Sequence, residues 1–129
     1  SLNPITAPDG SQVRLLLTHD HGAIRCSVVE VSIAAGQASR PVRHRTVEEA
    51  WYVTAGAGEV WRCPPGASPA DVAPVAVAPG DALVIPTGWA FQFRADPDQP
   101  LRFICVTMPP WPGMDEAIAV AEGPWPSTL

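Results

Sequence analysis

Residues 40–58, RPVRHRTVEEAWYVTAGAG, concentrate groups able to move a proton or hold a metal. His44 is followed by the adjacent carboxylates Glu48 and Glu49, then by Trp51 and Tyr52, then by glycines. Imidazole and carboxylate are both metal ligands, and burial brings both into the range of proton transfer near neutral pH. The remaining histidines, His19 and His21, form a His-x-His in HDHG. That setting is a turn, so the expectation for them is a solvated hairpin tip at a rim of the fold. Cys26, Cys63 and Cys105 make an odd number in a chain large enough to need no staples, and reduced thiols are expected. Cys26 and Cys105 fall on apolar strand-like runs. They are expected as inert core thiols, with a ligand role as the alternative if they face inward.

The elements that must position these groups are short and β-like. VRLLLT (residues 13–18) and AIRCSVVEVSI (residues 23–33) flank HDHG, which reads as a hairpin turn closed by Gly22. AWYVTA, GEVWRC, VAPVAVA, DALVIP, AFQFRA and LRFICVTM follow, each of ordinary strand length and separated by Gly, Pro and Asp. No segment sustains a helical period, and the best helical candidate is one short turn near MDEAIAVA. The pattern suits an all-β sandwich or barrel. CPPGASPADVAP (residues 63–74) is read as a long hairpin loop, because too little chain lies on either side for two cores. Pro74 confines the strand that follows to a sheet edge, since proline has no N–H for a ladder. In the tail, residues 109–129, Trp111 and Trp125 stand among prolines. A strap packing both indoles onto the barrel is the expectation, with a polyproline ligand for a partner as the other reading.

Alternation then assigns faces. Val42, His44 and Thr46 share an inner face, with Arg43 and Arg45 outside. Glu49, Trp51 and Val53 face inward on the next strand, which sends Glu48 to solvent. Leu83 and Ile85, and later Phe91 and Phe93, face inward as well.

The spacing of these residues resembles the motifs of the cupin family. Gly36 is followed by five residues and then by Val42, Arg43 and His44, with Glu49 and Gly56 after them. The family's first motif has glycine, a His-x-His pair, a glutamate and a glycine in that order. Gly80, five residues, then Pro86, Thr87 and Gly88 resemble the second motif, whose histidine would fall at position 91. The first match spans residues 36–56 and the second residues 80–95. The resemblance implies one cupin-type jelly-roll β-barrel or sandwich over residues 1–129, with a small-molecule site in the barrel mouth. It also implies where a metal would sit. Family members that bind metal use two histidines and the glutamate of the first motif and the histidine of the second. Here those slots hold Val42, His44, Glu49 and Phe91. Two are hydrocarbon, and a catalytic zinc or iron normally needs three protein ligands. Ala90, beside Phe91, offers no rescue by a one-residue slip. A degenerate, metal-free site is therefore expected, and a metal that did bind would have only His44 and Glu49 from the standard set.

Without a metal, His44 and Glu49 form a coupled acid–base pair, suited to isomerisation, elimination or ring closure. The alternative is that they bond to each other and plug the barrel. Val42, Trp51, Phe91, Phe93 and Cys105 are expected around them. Trp51, Phe91 and Phe93 can act as walls selecting a flat apolar or aromatic ligand, or as plain core filling the volume left by the missing metal and histidine; wall is the reading for Phe91 and core for Phe93. Trp89 can cap the mouth, and Trp61 sits on the surface or at a dimer interface. Three functions follow: a metal-independent acid–base enzyme, a non-catalytic binder or sensor of a small apolar metabolite, or a dioxygenase-type enzyme holding iron, nickel or zinc on non-standard ligands.

Bulk properties narrow the partners. The net charge is −5, all eight basic residues are arginine, and none cluster, which argues against nucleic acid. No apolar run approaches the ~18 residues of a membrane helix. SLNPITAPDG has neither the basic start nor the apolar core of a signal peptide. A cytoplasmic protein that covers an exposed edge strand by homodimerising is the expectation.

Overall fold

The β-like runs fold into two antiparallel sheets, seen in a computed structural model that describes residues 4–129. In chain order the strands are β1 (Ile5–Thr6), β2 (Gln12–Leu17), β3 (Ser27–Ile33), β4 (Val42–His44), β5 (Glu48–Gly56) and β6 (Gly58–Cys63). They continue with β7 (Val75–Val77), β8 (Ala82–Ile85), β9 (Ala90–Ala95), β10 (Leu101–Met108) and β11 (Ala117–Ala119). One sheet runs β1-β2-β3-β10-β5-β8 and the other β11-β4-β9-β6-β7. This is the all-β jelly-roll architecture.

Alternation drives the packing. Along β3 every second residue is buried, so Val29, Val31 and Ile33 enter the core while their neighbours lean outward. Cys105 on β10 lies opposite both Val29 and Trp51, which centres β10 in its sheet. Between the sheets Trp51 stacks on Phe103 at 4.0 Å and meets Phe93 edge-on at 5.2 Å. Such aromatic pairs add about 0.5–1.5 kcal/mol each beyond area burial. Gly56 ends β5 with φ +77°, and a Cβ there would stand 1.6 Å from the Pro100 carbonyl oxygen. Only glycine can occupy that crossing.

The connections follow from local chemistry. His19–His21 is a 3₁₀ turn capped by Thr18 and closed by Gly22 at φ 92°. Residues 64–74 join β6 to β7 as a hairpin loop, and β7, which follows Pro74, is a sheet edge. The AIRCSVVEVSI run is shorter as a strand than its composition suggests. β3 starts at Ser27, leaving Cys26 partly exposed before it. MDEAIAVA holds the short turn expected there, followed by a strand that was not expected. Only Met114–Glu116 is a 3₁₀ turn; the next residues form β11, which pairs with β4.

The last residues lie on the outer face of the second sheet. The Gln92 side chain donates to the carbonyls of Ser39 and Trp125, at 2.8 and 2.9 Å. Arg94 sits 4.5 Å over the Trp125 ring while its guanidinium bonds Glu59. Trp61, expected at the surface or a dimer interface, is instead fully buried. It is the register partner of Gln92 and shares that covered face. Among the described residues no helix is long and apolar enough to cross a membrane.

Candidate active site

Four strands bring the chemistry-bearing side chains to one cavity of about 290 Å³ between the sheets. β4 supplies Val42 and His44, β5 supplies Glu49 and Trp51, β9 supplies Phe91 and Phe93, and β10 supplies Phe103, Cys105 and Thr107. Each enters because its neighbours on the strand point outward. Thr46 breaks this rule. β4 stops at His44, the chain bends, and Thr46 turns away from the cavity to bond Glu116.

His44 and Glu49 are the buried polar centre. His44 Nδ1 lies 3.6 Å from Glu49 Oε2, and Nδ1 has no hydrogen-bond partner. The imidazole is held by aromatic edges, with the Phe91 ring at 5.1 Å and the Trp111 ring at 5.2 Å. Glu49 Oε1 accepts a 2.8 Å hydrogen bond from the Trp51 indole N–H. The residues are 4% and 7% exposed, so solvent screens neither.

Electrostatics follow from that burial. Desolvation raises the Glu49 carboxyl from 4.5 to about 7, against the opposing bonds from Trp51 and Cys105. Desolvation also lowers His44 from 6.5 to about 4, with the Glu116 charge opposing the shift. Burial is thus the leading cause of both shifts. At neutral pH the imidazole is uncharged and Glu49 is near its midpoint. Cys105 is pushed well above its ordinary value, first by burial and then by Glu49. At neutral pH it is a thiol and not a thiolate nucleophile.

All seven residues singled out in the sequence (Val42, His44, Glu49, Trp51, Phe91, Phe93 and Cys105) line this cavity. Trp89, expected to cap the mouth, does not line it, and neither do Cys26 and His21. His19 and Asp20 do, at an exposed rim where they pair at 3.1 Å. The sequence did not mark Asp9, Ser27, Thr107 or Trp111 as wall residues. The Ser27 and Thr107 hydroxyls bond each other, and the Trp111 backbone N–H donates to Ser27 Oγ at 3.2 Å. These residues come from elements without periodicity, or are hydroxyls on a strand whose apolar pattern dominates.

The metal slots can be tested against this geometry. Val42 and Phe91 are direct register partners across β4 and β9, so the two hydrocarbon slots lie side by side. Among the described residues no group of three His, Cys, Asp or Glu side chains converges to hold an ion. The residues present do not fit the family's metal.

Comparison with other proteins agrees with the architecture. The family described as Cupin domain matches residues 29–107, from β3 to β10. Among curated proteins no sequence matches the chain. Oxalate decarboxylase from Bacillus subtilis superposes with TM-score 0.75 at 15% identity, over 93% of this chain and 30% of its own. The chain thus spans under a third of that enzyme's length. The polyketide cyclase RemF from Streptomyces resistomycificus superposes with TM-score 0.68 at 24% identity, over 96% of this chain and 79% of its own. KdgF from Halomonas sp. gives TM-score 0.65 at 22% identity, over 85% of this chain and 90% of its own. At such identities the likeness is one of fold. With the domain match over residues 29–107 and both motifs placed on β4, β5 and β9 around a shared cavity, the chain belongs to the cupin family.

Proposed function

We propose that this cupin is a metal-independent enzyme that moves a proton on a small, largely apolar metabolite, in an isomerisation, elimination or cyclisation. One observation carries the reading: Glu49, titrating at about 7, lies 3.6 Å from an uncharged His44 inside an apolar cavity. A general base works best when its pKa lies near the operating pH, and contributes roughly 10²–10⁴-fold. The ionised Glu49 takes a proton from an activated carbon and becomes the acid. A neutral imidazole keeps one N–H donor, which His44 offers to the oxygen that gains charge. Glu49 then returns the proton at a second atom, completing an isomerisation, or gives it to a leaving group. The name of RemF, a polyketide cyclase of the same fold, is compatible with cyclisation as the class.

Deuterium exchange next to the carbonyl of enolisable aromatic ketones, followed by proton NMR in D₂O, tests the assignment. The unaltered protein should exchange the bound ketone, and Glu49→Gln should lose at least ~10²-fold while still binding it. Exchange that survives Glu49→Gln overturns the role of Glu49. Binding without exchange in the unaltered protein favours a metabolite binder or sensor.

A further inference from the structure

The cavity has a charge pattern that the acid–base pair does not use. Three carboxylates line it, Asp9, Asp20 and Glu49, and among the described residues no arginine does. The chain contains no lysine. The nearest cation to Asp9 is Arg40, whose guanidinium is committed to the carbonyls of Leu129 at 2.9 Å and Pro8 at 3.3 Å. The Arg40 charge partly opposes the burial that raises the Asp9 carboxyl, but among the described residues no basic side chain lines the cavity to receive an anionic ligand.

Asp9 is also fixed in place. Its Oδ1 accepts the Ser11 N–H at 2.9 Å and the Ser11 hydroxyl at 2.6 Å, while its own carbonyl accepts the Arg40 N–H at 2.8 Å. Ser11 is 2% exposed, so the anchor is dry. Among the described residues no donor reaches Asp9 Oδ2. Deeper on the same wall, the Nδ1 of His44 is buried without a partner, in a residue only 4% exposed. Polar groups left free in an apolar cavity normally meet their partners on a ligand. At ~30 Å³ per water the cavity volume suits a molecule of about ten to twelve heavy atoms.

We propose that the cavity selects a non-anionic, ring-sized ligand bearing a hydroxyl or amine donor, which Asp9 Oδ2 accepts, and that it rejects carboxylates and phosphates. This rests on the cavity being the functional site, and it names the substrate class of that site. Asp9 is then the specificity-determining residue. Its role is binding, separate from the proton transfer assigned to Glu49.

Calorimetric titration with three probes of one ring size tests this: 2-naphthol, 2-methoxynaphthalene and 2-naphthoate. The unaltered protein should bind naphthol several-fold more tightly than the methyl ether, which lacks the donor, and at least tenfold more tightly than the carboxylate. Asp9→Asn should remove most of the preference for naphthol over the ether and leave the ether's affinity unchanged. Naphthoate binding as tightly as naphthol, the ether matching naphthol, or binding of none of the three overturns the proposal. The probe series needs only the unaltered protein, so it stands even if the variant fails to fold. No turnover is read, so failure of Glu49 chemistry would leave the binding order intact and be recognised separately.

Discussion

His44 Nδ1 and Glu49 Oε2 face each other at 3.6 Å inside the barrel and make no hydrogen bond. Burial is the leading cause of both pKa shifts, so near neutral pH the imidazole is uncharged and the two do not form an ion pair. Burial therefore sets the pair's titration. Its two members shift in opposite directions, which makes them separable by experiment.

Stability against pH gives the first separation. Glu49 goes from 4.5 to about 7 on folding, so its contribution is full below pH 4.5 and is lost as pH rises through about 7. His44 goes from 6.5 to about 4, so its contribution is full above pH 6.5 and is lost as pH falls through about 4. Between pH 4.5 and 6.5 the two slopes oppose and nearly cancel. Glu49→Gln should unmask a melting temperature that rises with pH across this window, and His44→Gln one that falls. Each unmasked span is on the order of 3 kcal/mol. Thermal melts at half-unit pH steps check both signs. Two variants with parallel profiles would show that burial does not set the pair's titration.

Trp51 tunes the same carboxylate. Its indole N–H donates to Glu49 Oε1 at 2.8 Å and favours the ionised form. Trp51→Phe keeps an aromatic ring but removes the donor, so the Glu49 pKa should rise above about 7. In a carbon-13 titration of labelled glutamate the Glu49 midpoint should move up. The acid limb of any Glu49-dependent rate should move with it. A downward shift would assign the control to some other contact.

How much of this was legible in the sequence depends on range. Period-2 alternation placed Val42, His44, Glu49, Trp51, Phe91 and Phe93 on inner faces, because a strand's own residues fix which side each one takes. The motif spacing identified positions 42 and 91 as metal slots, and the structure shows them to be cross-strand partners. Trp61 was misread because alternation leaves it on an outer face, and nothing local reveals that the segment near Trp125 covers that face. β11 and Glu116 were missed for the same reason. Each acts on residues far away in sequence, as Glu116 does on Thr46, and neither sits in a periodic run. Trp111 was expected against the barrel, but its edge contact with His44 depends on where the chain leaves β10.

Restoring the two missing donors tests the metal reading. Val42→His with Phe91→His places imidazoles at register partners beside His44 and Glu49. Without metal the double variant should lose roughly 3 kcal/mol or more, since a buried phenyl is exchanged for a smaller polar ring. Zinc should restore much of its melting temperature while leaving the unaltered protein unmoved. Elemental analysis should find iron, nickel and zinc well below one per chain in the unaltered protein. Stoichiometric metal there, lost on His44→Ala, would sink the degenerate-site reading.

Glu116 ties the C-terminal segment to the turn that delivers His44 and Glu49. Its Oε2 accepts the Thr46 and Val47 N–H groups at 2.7 and 2.8 Å, and its Oε1 accepts the Thr46 hydroxyl at 2.8 Å. Burial alone would raise this carboxyl, but the three donors outweigh it and hold it below its ordinary 4.5. Glu116→Gln substitutes one oxygen by an amide that cannot accept, leaving a buried donor without its partner. The cost should be about 1–3 kcal/mol at pH 7. A lowered pKa stabilises above the unfolded value and is lost as pH falls through the folded one. The gap between the variant and the unaltered protein in urea melts should therefore narrow below pH 4.5. The Glu116 charge also raises His44, so its removal should carry the imidazole below about 4. A histidine that titrates unchanged in the variant would show that Glu116 holds the backbone alone and exerts no field on the cavity.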